Sequence, residues 1–224
     1  MNLKIVIFLL FSIVASLFAD EKWTRTHYFA VGAGVAITQG DLEGEKKIVA
    51  ADDSFTEQIF LPNLGVYPIP EIEFGANLNQ HTIFVMGSYT NPTTNFSKKE
   101  AKYAGETDTK IFLLGLGYNY NFFWNEPFQV ALGASYSFQY LSTESNAYFE
   151  ENKTLKSEDA AFMGNGFAVQ TSLIYFISRH VSMNGRLRFR AMYYSHVFTD
   201  NISGGVSGTW QFFEEVVLHI AFHF

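Results

Sequence analysis

Arg186, Arg188 and Arg190 stand at every second position of one segment, and Glu71 and Glu73 repeat that spacing with the opposite charge. In an extended strand alternate side chains share a face, so each set aims its charges one way. Charges taken out of water are costly unless paired. The two sets are therefore read, with Glu215 and His219, as one polar network. Two kinds of chemistry are open to it. Paired, the network is a polar plug that fixes a structure. Unpaired along an open path, it selects anions or binds a substrate.

Other constellations carry less. His219 and His223 share one face of a strand, but four residues of strand separate them by roughly 13 Å. Zinc–nitrogen bonds are near 2 Å, so the two cannot hold one ion, and no metal or cofactor is expected. Ser195 and His196 with Asp200 nearby suggest a hydrolase. Strand neighbours point to opposite faces, however, so the pair is not expected to form a nucleophile and base; only a loop there would relax that objection. The chain has no cysteine, which excludes disulfides, thiolate metal sites and a cysteine nucleophile.

The elements that position these residues follow from the pattern of apolar residues. Hydrophobic residues make up 48% and aromatics 17% of the chain, yet after the first residues no apolar run is long enough for a spanning helix. The apolar residues are spread by a period of two. Val216, Leu218, Ile220, Phe222 and Phe224 alternate with Glu215, Val217, His219, Ala221 and His223. Phe112, Leu114, Leu116, Tyr118, Tyr120 and Phe122 form one face of a second segment, opposite Thr109, Gly115, Gly117, Asn119 and Asn121. Phe128, Val130, Leu132, Ala134, Tyr136, Phe138 and Tyr140 do the same against Gln129, Ala131, Gly133, Ser135, Ser137 and Gln139. These strands exceed the usual globular length of about 5–6 residues. Their second faces are small and polar, as a narrow barrel interior requires when lipid lies outside.

Eight such segments lie near 26–38, 71–78, 81–89, 109–122, 128–141, 163–177, 181–198 and 209–224. Short connections at Asn79-Gln80, 123–127 and 178–180 alternate with the longer, polar stretches 39–70, 90–108, 142–162 and 199–208. The fold class is thus all-β, a transmembrane antiparallel up-and-down barrel, with short turns at the periplasmic end. Ile59–Tyr67 has strand-like residues, but Pro62 and Pro68 make it a poor spanning strand. It is read as a hairpin within the first loop, and a ten-stranded barrel is the alternative. A tight loop after Phe198 would place Arg190 near Glu215 and Arg186 near His219. Glu214 falls on the lipid side, in the headgroups or at a bulge. Trp23, Trp124 and Trp210, with Tyr118 and Tyr120, fall near strand ends, where interfacial aromatic girdles form.

The first residues read as an export signal. Lys4 precedes an apolar run from Ile5 to Ala19 interrupted only by Ser12 and Ser16, and Asp20-Glu21-Lys22 follows. The run is short for a membrane span. Cleavage is placed after Ala19, with Ala15 as the alternative site, so residues 1–19 are a signal peptide and 20–224 the barrel. The net charge of −7 argues against a nucleic-acid partner, which needs a basic face.

The last segment resembles the C-terminal signal of outer-membrane barrel proteins: an aromatic end, Phe224, preceded by Phe222, Ile220, Leu218 and Val216 at alternate positions. With the export signal and the eight-strand rhythm, the chain resembles the small OmpA/OmpX-like barrels over nearly its whole length. That resemblance implies a Gram-negative outer-membrane location and a barrel assembly machinery that reads Val216 to Phe224, with Phe224 mattering most. It implies no particular functional subfamily. The loops carry both signs of charge, from Asp41, Glu43, Lys46 and Lys47 in the first to Glu144, Glu150, Lys153 and Lys156 in the third. Such loops suit lipopolysaccharide, through divalent cations, or a partner outside the cell. The expected function is structural or surface-interacting and not enzymatic. A narrow porin-like channel is the second reading and a lipid A-modifying enzyme the third.

Overall fold

Alternating apolar residues need a partner for each strand edge as well as for each face, and a closed sheet supplies both. The computed structural model describes residues 25–39, 46–49, 56–59, 64–95, 106–151, 154–198 and 203–224; the export signal and Trp23 lie outside these. Eight antiparallel strands close on themselves: β1 (His27–Gln39), β4 (Val66–Leu78), β5 (His81–Thr90), β7 (Glu106–Phe122), β8 (Phe128–Glu151), β9 (Thr154–Ser178), β10 (Val181–Phe198) and β11 (Ser203–His223). Each pairs with its neighbour in sequence, and β1 pairs with β11 to shut the ring. Among the described residues no helix is long and apolar enough to cross a membrane.

The faces are as the period of two predicts. Ile72, Leu114, Leu132, Leu173, Leu187 and Leu218 point outward and are exposed, as are the aromatics Phe29, Phe74, Phe112, Phe138, Phe189 and Phe222. An apolar surface of this extent suits lipid. Short turns join the strands at one end. In the tightest, Asn79 takes a left-handed backbone with φ of 58°, a conformation an asparagine tolerates. At the other end β8 and β9 run to 24 and 25 residues, well past the roughly 9–11 that span a bilayer. A hairpin of β2 (Lys46–Val49) and β3 (Thr56–Ile59) adds to the extended part of β8, and β6 (Thr93–Asn95) adds to β7.

Two sequence expectations need correction. The loop hairpin lies at β2–β3, not at Ile59–Tyr67, and Val66–Pro70 belongs to the second spanning strand. The strand count is eight, as the eight segments predicted, and the ten-stranded alternative falls. The prolines are tolerated for a local reason. Asn77 sends its N–H to Thr26 ahead of β1, so by alternation the even positions of β4 face β5. The β4–β5 ladder begins only at Glu71 and Ser88. Pro68 and Pro70 therefore lack an N–H where no partner waits to accept one. Glu214 does face outward, half exposed between Phe212 and Val216; the irregularity in β10–β11 lies higher, between Tyr194 and His196.

The interior is also less uniformly polar than expected. Towards the long-loop end it is filled by an apolar cluster that includes Leu64, Tyr67, Ile69, Leu141, Phe162 and Phe213. Nearer the short turns Tyr28, Phe84, Met86 and Leu113 form a second cluster. Inward glycines make room for these side chains. A Cβ on Gly117 would lie 2.1 Å from Phe84 Cζ.

Candidate functional site: a charge cluster inside the barrel

β10 carries Arg186, Arg188 and Arg190 on its inward face, each at most 5% exposed. Their partners come from β11, the adjacent strand, and from β4, on the far side of the β1–β11 closure. Arg188 holds Glu71 with two parallel bonds, Nη1 to Oε2 at 2.8 Å and Nη2 to Oε1 at 3.0 Å. Its Nη1 also reaches Glu215 Oε2 at 2.9 Å. Arg186 grips Glu73 in the same forked way, with Nη2 to Oε1 at 3.0 Å and a second, shorter bond from Nη1 to Oε2. Arg190 reaches Glu215 Oε2 through Nη2 at 3.2 Å. Planar guanidinium and carboxylate forks of this kind are among the stronger charge-assisted bonds.

The remaining valences are taken by neutral groups. Tyr28 donates its hydroxyl to Glu73 Oε1 at 2.6 Å. Arg186 donates Nε to Ser172 at 3.3 Å, and its guanidinium lies 5.0 Å from the Phe84 ring centre. Arg188 donates Nε to Gln170 Oε1 at 3.3 Å, and Gln170 in turn donates to Asn119 Oδ1 at 2.6 Å. His219 Nε2 sits 3.0 Å from Glu71 Oε1. Three guanidinium charges thus meet three carboxylates, and the cluster balances when His219 is neutral. Out of water that balance is what keeps its cost bearable.

The seven network residues expected from sequence are therefore brought together, with Arg190 reaching Glu215 as expected but the β10–β11 register displaced by two residues. Arg188, not Arg190, lies directly opposite Glu215, and His219 lies opposite Asn184 and contacts Glu71 instead of Arg186. The cause is a tighter β10–β11 connection, which pairs Phe198 with Ser203, and the irregularity between Tyr194 and His196 makes up only part of that shift. Sequence could not set that register, because a bulge leaves no mark in the alternation below it.

The same irregularity corrects a second expectation. Ser195 Oγ and His196 Nδ1 are 2.9 Å apart, although regular alternation would separate them. Asp200 lies outside the described residues. The pair is at the surface, and nothing in the described geometry supplies an oxyanion site beside it. As for metal, Glu71, Glu73 and His219 offer ligand atoms within 4.8 Å of one another. All four carboxylate oxygens there already accept bonds from arginine, so an added cation would face two guanidinium charges. His223 is engaged elsewhere, with Nε2 at 2.8 Å from Ser182 Oγ.

The expected girdle residues fall at the two ends. Tyr118 is exposed near the short turns, and its hydroxyl lies 2.6 Å from His81 Nδ1. Tyr120 packs edge-on to Phe122 at 5.0 Å, and Trp124 occupies the turn that follows. Trp210 packs on Tyr193 at 5.0 Å towards the opposite end. Val216, Leu218, Ile220 and Phe222 all face outward. Phe224 exchanges backbone bonds with His27 at 2.9 and 3.1 Å, and their rings lie 6.2 Å apart.

No sequence-family model matches the chain, and no curated protein matches it. Solved structures do. The outer membrane protein OprG of Pseudomonas aeruginosa is 13% identical with a TM-score of 0.52, covering 90% of this chain and 98% of its own. A major outer membrane protein of Thermus thermophilus is 12% identical with a TM-score of 0.51, covering 88% and 99%. At such identities the likeness is one of fold. The chain has the closed, eight-stranded, up-and-down architecture of the small outer-membrane β-barrels.

Proposed function

We propose that this is an integral outer-membrane protein, closed along its axis, that works through the surface it presents outside the cell. The observation that carries the reading is the neutral cluster of Arg186, Arg188, Arg190, Glu71, Glu73 and Glu215, buried between two apolar clusters. An eight-stranded barrel is about wide enough for its own side chains to fill, and this one spends its interior on ion pairs. The long β8 and β9, widened by the β2–β3 hairpin, supply β-structure beyond the membrane for contact with lipopolysaccharide or another surface. Catalysis has no part in the reading.

Reconstitution in a planar bilayer is the test. The expected outcome is no single-channel current. Steps whose ion preference changes in Arg188→Gln would establish the narrow channel and overturn the proposal. A change in lipid A mass when cells express the protein would instead make it a lipid-modifying enzyme.

A further inference from the structure

The wall between β4 and β5 is incomplete. β4 stays paired with β1 as far as Val66, and β5 stays paired with β7 as far as Thr90. Between β4 and β5, however, the ladder stops at Glu71 and Ser88, because Pro68 and Pro70 leave nothing to extend it. A cleft of about 480 Å³ opens at this point. That is roughly three times the ~150 Å³ of a dry apolar cavity able to take up benzene. Its walls are the outward-facing Val31, Pro70, Ile72, Tyr89 and Phe112, and its floor is Gly32, Glu71 and Ser88.

Gly87 adds a second, independent sign. It faces outward between Ile72 and Leu114, and a Cβ there would meet Ile72 Cγ1 at 3.7 Å and backbone at 3.9 Å. Packing does not require glycine here, in contrast to Gly117. Its effect is to leave a notch in an otherwise apolar wall. The floor is closed, since Glu71 is 2% exposed and both its oxygens are held by Arg188. The cleft is a blind pocket facing lipid, with no passage through it.

We infer that this cleft docks one acyl chain of an outer-leaflet glycolipid, the lipid A portion of lipopolysaccharide. The medium against the cleft is hydrocarbon, so an acyl chain is the occupant its walls match. Height selects the leaflet. Ser88 lies eight residues beyond the Asn79-Gln80 turn, which at ~3.4 Å per residue and ~40° of tilt is about 20 Å up a band about 25 Å tall. With short turns in the periplasm, that is the outer side. The inference rests on the outer-membrane orientation proposed above and not on whether the barrel conducts; current through a barrel that still retains lipid A would sink only the closed-axis reading.

The test is native mass spectrometry of the folded protein in detergent micelles, titrated separately with hexa-acylated lipid A and with dipalmitoyl phosphatidylethanolamine. The wild type should retain lipid A selectively. Gly87→Leu should lose that adduct while keeping the heat-sensitive gel mobility of a folded barrel. Gly185→Leu, at an outward glycine with room beside Leu218, should retain it. Tyr89→Ala, which removes a wall without filling the notch, gives a second variant with a weakened adduct. Equal retention by wild type and Gly87→Leu, no retention by wild type, or equal retention of phosphatidylethanolamine would each overturn the assignment.

Discussion

Replacing Glu215 by alanine isolates the energetics of the charge cluster. The carboxylate serves two arginines, Arg188 at 2.9 Å and Arg190 at 3.2 Å. Arg188 keeps both oxygens of Glu71 and is little affected. Arg190 loses its only ion pair among the described residues and becomes a buried, uncompensated charge. Removing one partner of a buried pair costs about 3–5 kcal/mol. Arg190 is 5% exposed where Arg188 is fully buried, and some access to water moves the expectation to the low end, about 3 kcal/mol, or roughly a hundredfold in the folding equilibrium. The assay is urea unfolding in lipid vesicles, followed by tryptophan emission and by gel mobility. If the stranded charge is the cause, Glu215→Ala combined with Arg190→Met recovers most of the loss, because three charges of one sign no longer face two of the other. An unchanged midpoint in Glu215→Ala would refute the reasoning. So would a double variant no more stable than the single one.

Two further expectations concern closure and packing. Phe224→Asp disturbs the backbone exchange with His27 and the ring contacts with His27 and Phe74; it should lower the amount of assembled protein in outer-membrane fractions more than Tyr148→Asp in the extension of β8, and equal yields would count against the terminal strand as an assembly signal. Gly117→Ala forces a Cβ onto the Phe84 ring, which is 1% exposed and lies under Arg186, and should cost about 1–3 kcal/mol by overpacking, read as a lowered unfolding midpoint.

Much of this fold could be read from alternation, because one face of each strand is apolar and turned outward, and a single-residue slip would turn it inside out. The segments expected at 81–89, 128–141 and 181–198 lie within or on β5, β8 and β10. The charge cluster was legible for the same reason: arginines two apart must share a face. What could not be read depends on particular neighbours. Pro68 and Pro70 argue against a strand unless it is known that their missing N–H groups face a gap. The residue opposite Glu215 depends on the β10–β11 connection and on a bulge several residues away. Tyr67, Ile69, Phe162 and Phe213 turn inward where residues of their type suggest lipid, because the barrel widens its use of apolar filling beyond the charged layer. The Ser195–His196 contact needed the bulge as well.

The position of the charge cluster has a consequence for assembly. β4 and β10 are not neighbours; β11 and β1, the last and first strands, lie between them. The bonds from Arg186 to Glu73 and from Arg188 to Glu71 therefore arch over the join where the sheet closes, linking residues 113 and 117 positions apart. Backbone ladders are tolerant of slippage, since every register offers hydrogen bonds. The arginine forks are not. A shift of two residues at the join keeps every side chain on its proper face yet moves Glu71 about 7 Å along its strand, beyond the reach of a fork-to-fork bond. Only the correct closure leaves no unpaired charge inside. The cluster thus makes misaligned closures costly where hydrophobic patterning alone would accept them.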